Sequence, residues 1–233
     1  MYYSNKLSLL FIASPKSGSM SVQDFLMKVD PEGETHKLTI PDKNITSKDM
    51  HYGVVGHARA WEIKKAVGSD FYNKLQVMGI VRHPFDKLIS TYFFNKKGNL
   101  LNAFDVKGEK RVFIRKIRGF LTYLAPKILP IGLWALIFPM KSSHEYFFDR
   151  NGQRIVKYLG RTDHLNEDLK LILKDLQIST KFEIPHINKS KHNSRHDYFK
   201  NKWIKNKLIN KYKKDIDLYN QAVVEMELLQ NKL

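Results

Sequence analysis

The chain of 233 residues contains no cysteine, which excludes a disulfide framework and any thiolate metal site and is compatible with a reducing compartment. Acidic residues are scarce beside basic ones: 23 Asp and Glu stand against 40 Lys and Arg, for a formal charge of +17. That surplus says nothing about fold. It favours polyanionic partners such as anionic lipid, anionic glycan, nucleic acid or a nucleotide-like ligand. Internal repeats are missing, and no Pro/Gly-rich linker divides the chain. A single domain over residues 1–233 is therefore expected, with 42% hydrophobic residues to fill its core. Only one lysine precedes the apolar LSLLFIA near the start, unlike a secretory signal, so this stretch is expected to stay as a strand.

Hydrophobic patterning places three strand-then-helix units. Residues 7–13 are an almost unbroken apolar run, the pattern of a parallel strand buried on both faces, and SVQDFLMKV after them has helical spacing. HYGVVGHARAWEIKKAVG reads as a short strand feeding a helix that Gly68 closes, with Glu62 and Lys65 able to pair across a turn. LQVMGIVRHPFDKLISTYFF is another buried strand followed by a helix, with Pro84 near the first helical position where its missing N–H costs nothing. Beyond residue 163, HLNEDLKLILKDL and the long amphipathic stretch from Lys200 predict helices. Strands alternating with helices imply an α/β domain, a central parallel sheet flanked by helices, with a helical C-terminal third.

Residues 104–140 read as an apolar and basic insertion. GFLTYLAPKILPIGLWALIFP has about the length of a membrane span, yet holds Lys127 and three prolines, which oppose a straight helix in hydrocarbon. Burial against the domain is the plainer reading. A peripheral contact with lipid or a lipid-linked acceptor through 111–141 is the other, supported by Arg111, Arg115, Lys116, Arg118 and Lys141.

The stretch SPKSGSMS follows the first strand and opens the first helix. A helix N-terminus attracts anions, and Ser17, Gly18, Ser19 and Ser21 bring further donors, with Lys16 as a cation at the loop mouth. A magnesium nucleotide would also want a carboxylate at a neighbouring strand's end, but VMGIVR ends in Arg82. An anionic ligand held in two places without metal suits this better. Arg82 and Ser90, two turns into the next helix, would converge on the second anion. The bland alternative pairs Arg82 with Asp86 at the helix entry.

These motifs resemble those of the sulfotransferases that use 3′-phosphoadenosine 5′-phosphosulfate (PAPS), in the carbohydrate branch that includes heparan sulfate 2-O-sulfotransferase and small bacterial relatives. SPKSGSMS resembles the family's 5′-phosphosulfate loop, VRHPFDKLISTYFF its 3′-phosphate motif, and GHARAWEI the segment carrying the catalytic base. The stretch from Tyr146 to Ile172, with IPHINKSKHNS, resembles the C-terminal half of the bacterial members. The resemblance implies a P-loop-like three-layer fold and in-line transfer of a sulfuryl group from PAPS to a carbohydrate or glycolipid hydroxyl, without metal and without nucleic acid as a partner. His57 would be the general base, and Lys16 would hold the 5′-phosphate and bridging oxygen. Ser17, Gly18, Ser19, Met20 and Ser21 complete the donor loop, although Met20 stands where threonine is usual, so one hydroxyl is missing. Arg82 and Ser90 would bind the 3′-phosphate, and Lys189 and Ser190 lie where relatives close over the donor. Val55 and Asp163 depart from the family pattern and leave the acceptor open. A cytoplasmic location, at the inner face of the membrane, is expected. Two other readings stay open: a magnesium-dependent P-loop kinase of a small molecule, and a polyanion-binding protein without catalysis.

Overall fold

A computed structural model of the chain describes residues 1–35, 37–40, 43–45, 57–98, 112–182 and 195–233. In chain order the first elements are β1 (Tyr2–Ser4), β2 (Leu9–Ile12), α1 (Ser19–Val29), β3 (Glu34–Thr35), β4 (Leu38–Ile40) and β5 (Lys43–Ile45). There follow α2 (Ala60–Val67), α3 (Ser69–Lys74), β6 (Gln76–Val81), α4 (Pro84–Lys97), α5 (Val112–Ile128) and α6 (Ile131–Ile137). The last are α7 (His144–Phe147), β7 (Tyr158–Arg161), α8 (Leu165–Asp175), α9 (Arg195–Tyr198), α10 (Lys202–Lys211) and α11 (Lys213–Lys232). They fall into two compact units: residues 1–83, 141–189 and 214–233 in the first, and 84–140 and 190–213 in the second. The segment expected as an insertion at about 104–140 belongs to the second unit, together with α4, α9 and α10.

The first unit is α/β. Its five-stranded sheet has the order β3-β1-β2-β6-β7, in which β2, β6 and β7 run parallel. The parallel strands match the expectation, but β1 and β3 pair antiparallel along one edge, so the sheet is mixed. Why β2 is apolar throughout is plain from its two faces. Leu10 and Ile12 pack in one cluster with Val77, Val81, Leu159, Ile63 of α2 and Leu218 of α11. Leu9 and Phe11 pack in another with Met78, Ile80, Phe25 of α1 and Leu169 and Ile172 of α8. A strand covered by helices on both faces has no polar side to present, and its apolar surface contributes roughly 25 cal/mol per Å² buried. Gly79 of β6 is required by this packing, because a Cβ there would lie 2.4 Å from the ring of Phe147.

Glu62 does not serve the pairing with Lys65 that helical spacing suggests. It is buried, and its carboxylate accepts from the main-chain N–H of Arg59 at 2.9 Å, which ties down the entry to α2. Gly68 closes that helix with φ +88°. The strand expected just before it, at 51–56, lies outside the described residues.

The second unit is helical. Its core joins Phe85, Leu88 and Tyr92 of α4 to Trp134 of α6 and Leu208 of α10, with Tyr92 edge-on to Trp134 at 5.4 Å. Helix α5 continues through Pro126, and the break falls at Leu129 and Pro130, just before α6. Proline near a helix's last turn costs one hydrogen bond and is tolerated there more easily than mid-helix. Among the described residues no helix is long and apolar enough to cross a membrane.

Candidate functional site

The site residues of the first unit gather where β2 and β6 end. In register, Ile12 of β2 pairs with Gly79 while β6 runs on to Val81, so the chain leaving β2 turns over the last residues of its neighbour. Ser14, fully buried, donates its hydroxyl to the carbonyl of Ile80 at 3.3 Å. Ser17, also fully buried, donates to the carbonyl of Ser14 at 2.8 Å, so its proton serves the loop's own shape. Lys16 and Gly18 both adopt left-handed backbone, with φ of +64° and +75°. Glycine accepts that conformation freely, whereas for lysine it is an uncommon state that the surroundings must hold.

Two strand ends hold it. The Arg82 guanidinium, following β6, donates from Nη1 to the Lys16 carbonyl at 3.3 Å. Thr162, following β7, has its hydroxyl 3.1 Å from the Ser17 carbonyl and 3.0 Å from that of Val81. The methyl of Thr162 also lies 3.6 Å from where a Cβ on Gly18 would stand. Thr162 was not legible in the sequence as a loop partner, since only the parallel pairing of β7 with β6 brings it there.

The remaining loop residues begin α1. Gly18 is its N-cap, no side chain caps it, and its first turn has no acid. Ser19 and Ser21 are buried, and Met20 turns outward, 60% exposed.

Helix α2 is preceded by His57, whose Nδ1 lies 3.0 Å from the carbonyl of Ala13, the residue just beyond β2. A carbonyl only accepts, so Nδ1 carries the proton in that contact and the neutral ring has its lone pair on Nε2. That is the tautomer a general base needs.

Electrostatically the loop mouth is a place of concentrated positive charge. The pKa of Lys16 is lowered, first by its partial burial and then by the positive charge of Arg82. Two cations held near one another in a half-buried setting repel, and an anion seated between them relieves both penalties.

A second cluster stands at the end of β7. Asp168 of α8, fully buried, accepts from the backbone N–H of Arg161 at 2.7 Å and from its Nε and Nη2 at 2.8 and 2.7 Å. Asp163 accepts the hydroxyl of Tyr219 at 2.5 Å, and the Tyr219 ring meets His83 edge-on at 5.1 Å. Asp163 is thus a carboxylate just beyond the end of β7, where the sequence shows only a departure from the pattern it resembles. Among the described residues no three His, Asp or Glu side chains are grouped to hold a metal ion.

Ser90 lies in the second unit, buried on α4. Asp86 of the same helix pairs with Arg195 at 3.5 Å. Lys189, Ser190 and Val55 lie outside the described residues. Comparison of the chain with protein-family models, curated proteins and solved structures returns no match.

Proposed function

We propose that the chain is a sulfotransferase that moves a sulfuryl group from PAPS to a hydroxyl of a carbohydrate or glycolipid acceptor, on a P-loop-like α/β domain. The observation that carries this reading is the pair of contacts that tie His57 and Arg82 to the loop after β2, at the carbonyls of Ala13 and Lys16. They tie a histidine whose Nε2 is left as the acceptor, and an arginine beside Lys16, to the turn that opens α1, whose N-terminus lacks a side-chain cap; this supports the reading.

The reaction follows from those groups. The acceptor oxygen attacks sulfur as His57 Nε2 takes its proton, and the bond from sulfur to the bridging phosphate oxygen breaks. Negative charge grows on the departing 5′-phosphate, where the Lys16 ammonium offsets it. Arg82 serves the 3′-phosphate. Met20 contributes no hydroxyl, and its outward side chain leaves the main chain as its means of contact.

Asp163 favours the second reading, a magnesium-dependent kinase, because it supplies a carboxylate at a strand end beside β6. Titration calorimetry separates the two. Binding of adenosine 3′,5′-bisphosphate in EDTA at micromolar affinity, with transfer of labelled sulfate from PAPS to a glycan, supports the sulfotransferase. Preference for ATP with magnesium over the bisphosphate would replace it with the kinase. Polyanion binding without either nucleotide would leave a non-catalytic protein.

A further inference from the structure

The basic surplus is not spread evenly along the chain. In residues 84–98, 112–140 and 195–213, the described part of the second unit, Lys and Arg number fourteen and Asp two, with no Glu, so these stretches carry +12 of the chain's +17. The same unit exposes large apolar side chains. Ile128 on α5 is 68% exposed, Leu133 and Ile137 on α6 are 45% and 61%, and Trp203 on α10 is 61%. Leu133 and Ile137 are four apart and share a face of α6. Gly132, beside Leu133, lets α10 come close, for a Cβ there would lie 3.2 Å from Ile204, the neighbour of Trp203. Lys202, Lys205 and Lys207 are exposed on α10, and the Lys207 ammonium stands 5.9 Å from the Trp203 ring centroid.

We infer that the exposed apolar side chains of α5, α6 and α10, with the α10 lysines, dock on the surface of an anionic lipid bilayer. The charge identifies the occupant. A second copy of the chain would set +12 against +12, and a nucleic acid or anionic glycan would answer the lysines while leaving Ile128, Leu133 and Ile137 in water. An anionic bilayer offers both complements: headgroup charge for lysine, and an acyl boundary for isoleucine, leucine and an amphipathic indole. Contact is interfacial, since no described helix is long and apolar enough to span. The inference is independent of the sulfotransferase reading and survives or fails without it.

The test uses the full chain and sonicated vesicles of phosphatidylcholine, alone or doped with phosphatidylglycerol. Co-sedimentation is expected with the doped vesicles only. Lys202→Gln, Lys205→Gln and Lys207→Gln should each lower the partition coefficient about fivefold at low salt. Brominated acyl chains should quench part of the tryptophan emission, and Trp203→Phe should abolish that quenching while Trp61 and Trp134 still emit. Ile128→Ser with Ile137→Ser, both at exposed positions, should keep the circular dichroism spectrum and lose most of the partition. The inference is overturned by equal binding to undoped vesicles, by quenching that persists in Trp203→Phe, or by a dimer that buries Trp203 without lipid. Binding to heparin or duplex DNA that outcompetes vesicles and ignores the serine substitutions would also overturn it.

Discussion

The Arg82 side chain reaches the main-chain carbonyl of Lys16, 3.3 Å away, and so one cation fixes the backbone from which the other projects. Arg82→Ala therefore removes two things together: the charge proposed to meet the donor's second phosphate and a support for the left-handed loop residue. Charge-assisted hydrogen bonds contribute about 1.5–3 kcal/mol each, so affinity for adenosine 3′,5′-bisphosphate should fall by roughly 10- to 100-fold in calorimetry. Arg82→Lys should recover little, because an ammonium lacks the fork that serves a carbonyl and a phosphate at once. Unchanged affinity in the alanine variant would remove Arg82 from the donor site.

His57 predicts the opposite division between binding and rate. Its contact is to a carbonyl of the loop, through Nδ1, and the proposed chemistry belongs to Nε2. His57→Ala should lower turnover by about 10²- to 10⁴-fold, the usual contribution of a general base, with bisphosphate affinity within about twofold of normal. A variant that turns over normally would mean that another group accepts the proton.

Much of this arrangement was legible in the chain, and what was missed has physical reasons. The β2 and β6 runs announced themselves because strands covered on both faces must be apolar at every position. Helix α4 was marked by Pro84 at its start. The antiparallel edge was not legible, because Tyr2–Ser4 and Glu34–Thr35 are too short to have a period. Nor was the role of Thr162, since a residue that meets Ser17 across 145 positions leaves no local pattern. Glu62 was misread for a related reason. Spacing offers it Lys65, but burial turns it toward the Arg59 N–H instead. The boundary between the two units has no mark in the sequence, because it falls at His83 and Pro84, inside a motif that reads as one strand-helix unit.

Lys16 predicts a pH effect of definite sign. In the proposed reading the Lys16 ammonium holds the donor, and burial followed by Arg82 lowers the pKa of that ammonium below the ordinary lysine range. Affinity for the bisphosphate should therefore decline as pH rises through the lowered value, earlier than a fully solvated lysine would allow. Folding has the opposite sign. Where the unfolded chain holds the proton more tightly than the folded one, stability rises with pH over the window between the two pKa values. Lys16→Gly removes the cation and suits φ +64°, so it should bind bisphosphate at least tenfold more weakly without losing stability. An affinity that declines no earlier than a fully solvated lysine allows would place the donor's charge on another group.

Asp168 supplies the sharpest stability prediction because its carboxylate accepts three hydrogen bonds from one residue. It is fully buried, and Arg161 gives it a backbone N–H and two guanidinium donors, with the Arg161 side chain 13% exposed. Removing one partner of a buried pair leaves the other's charge uncompensated, which costs about 3–5 kcal/mol. Asp168→Ala should lose that much in urea unfolding. Asp168→Asn keeps an acceptor for the N–H and should lose about half. Arg161 ends β7, and Thr162 follows it onto the loop, so the asparagine variant should also bind bisphosphate more weakly although Asp168 is assigned no contact with the ligand. If stability falls and affinity does not, the end of β7 is a support for the core alone, and the loop after β2 keeps its shape through Arg82.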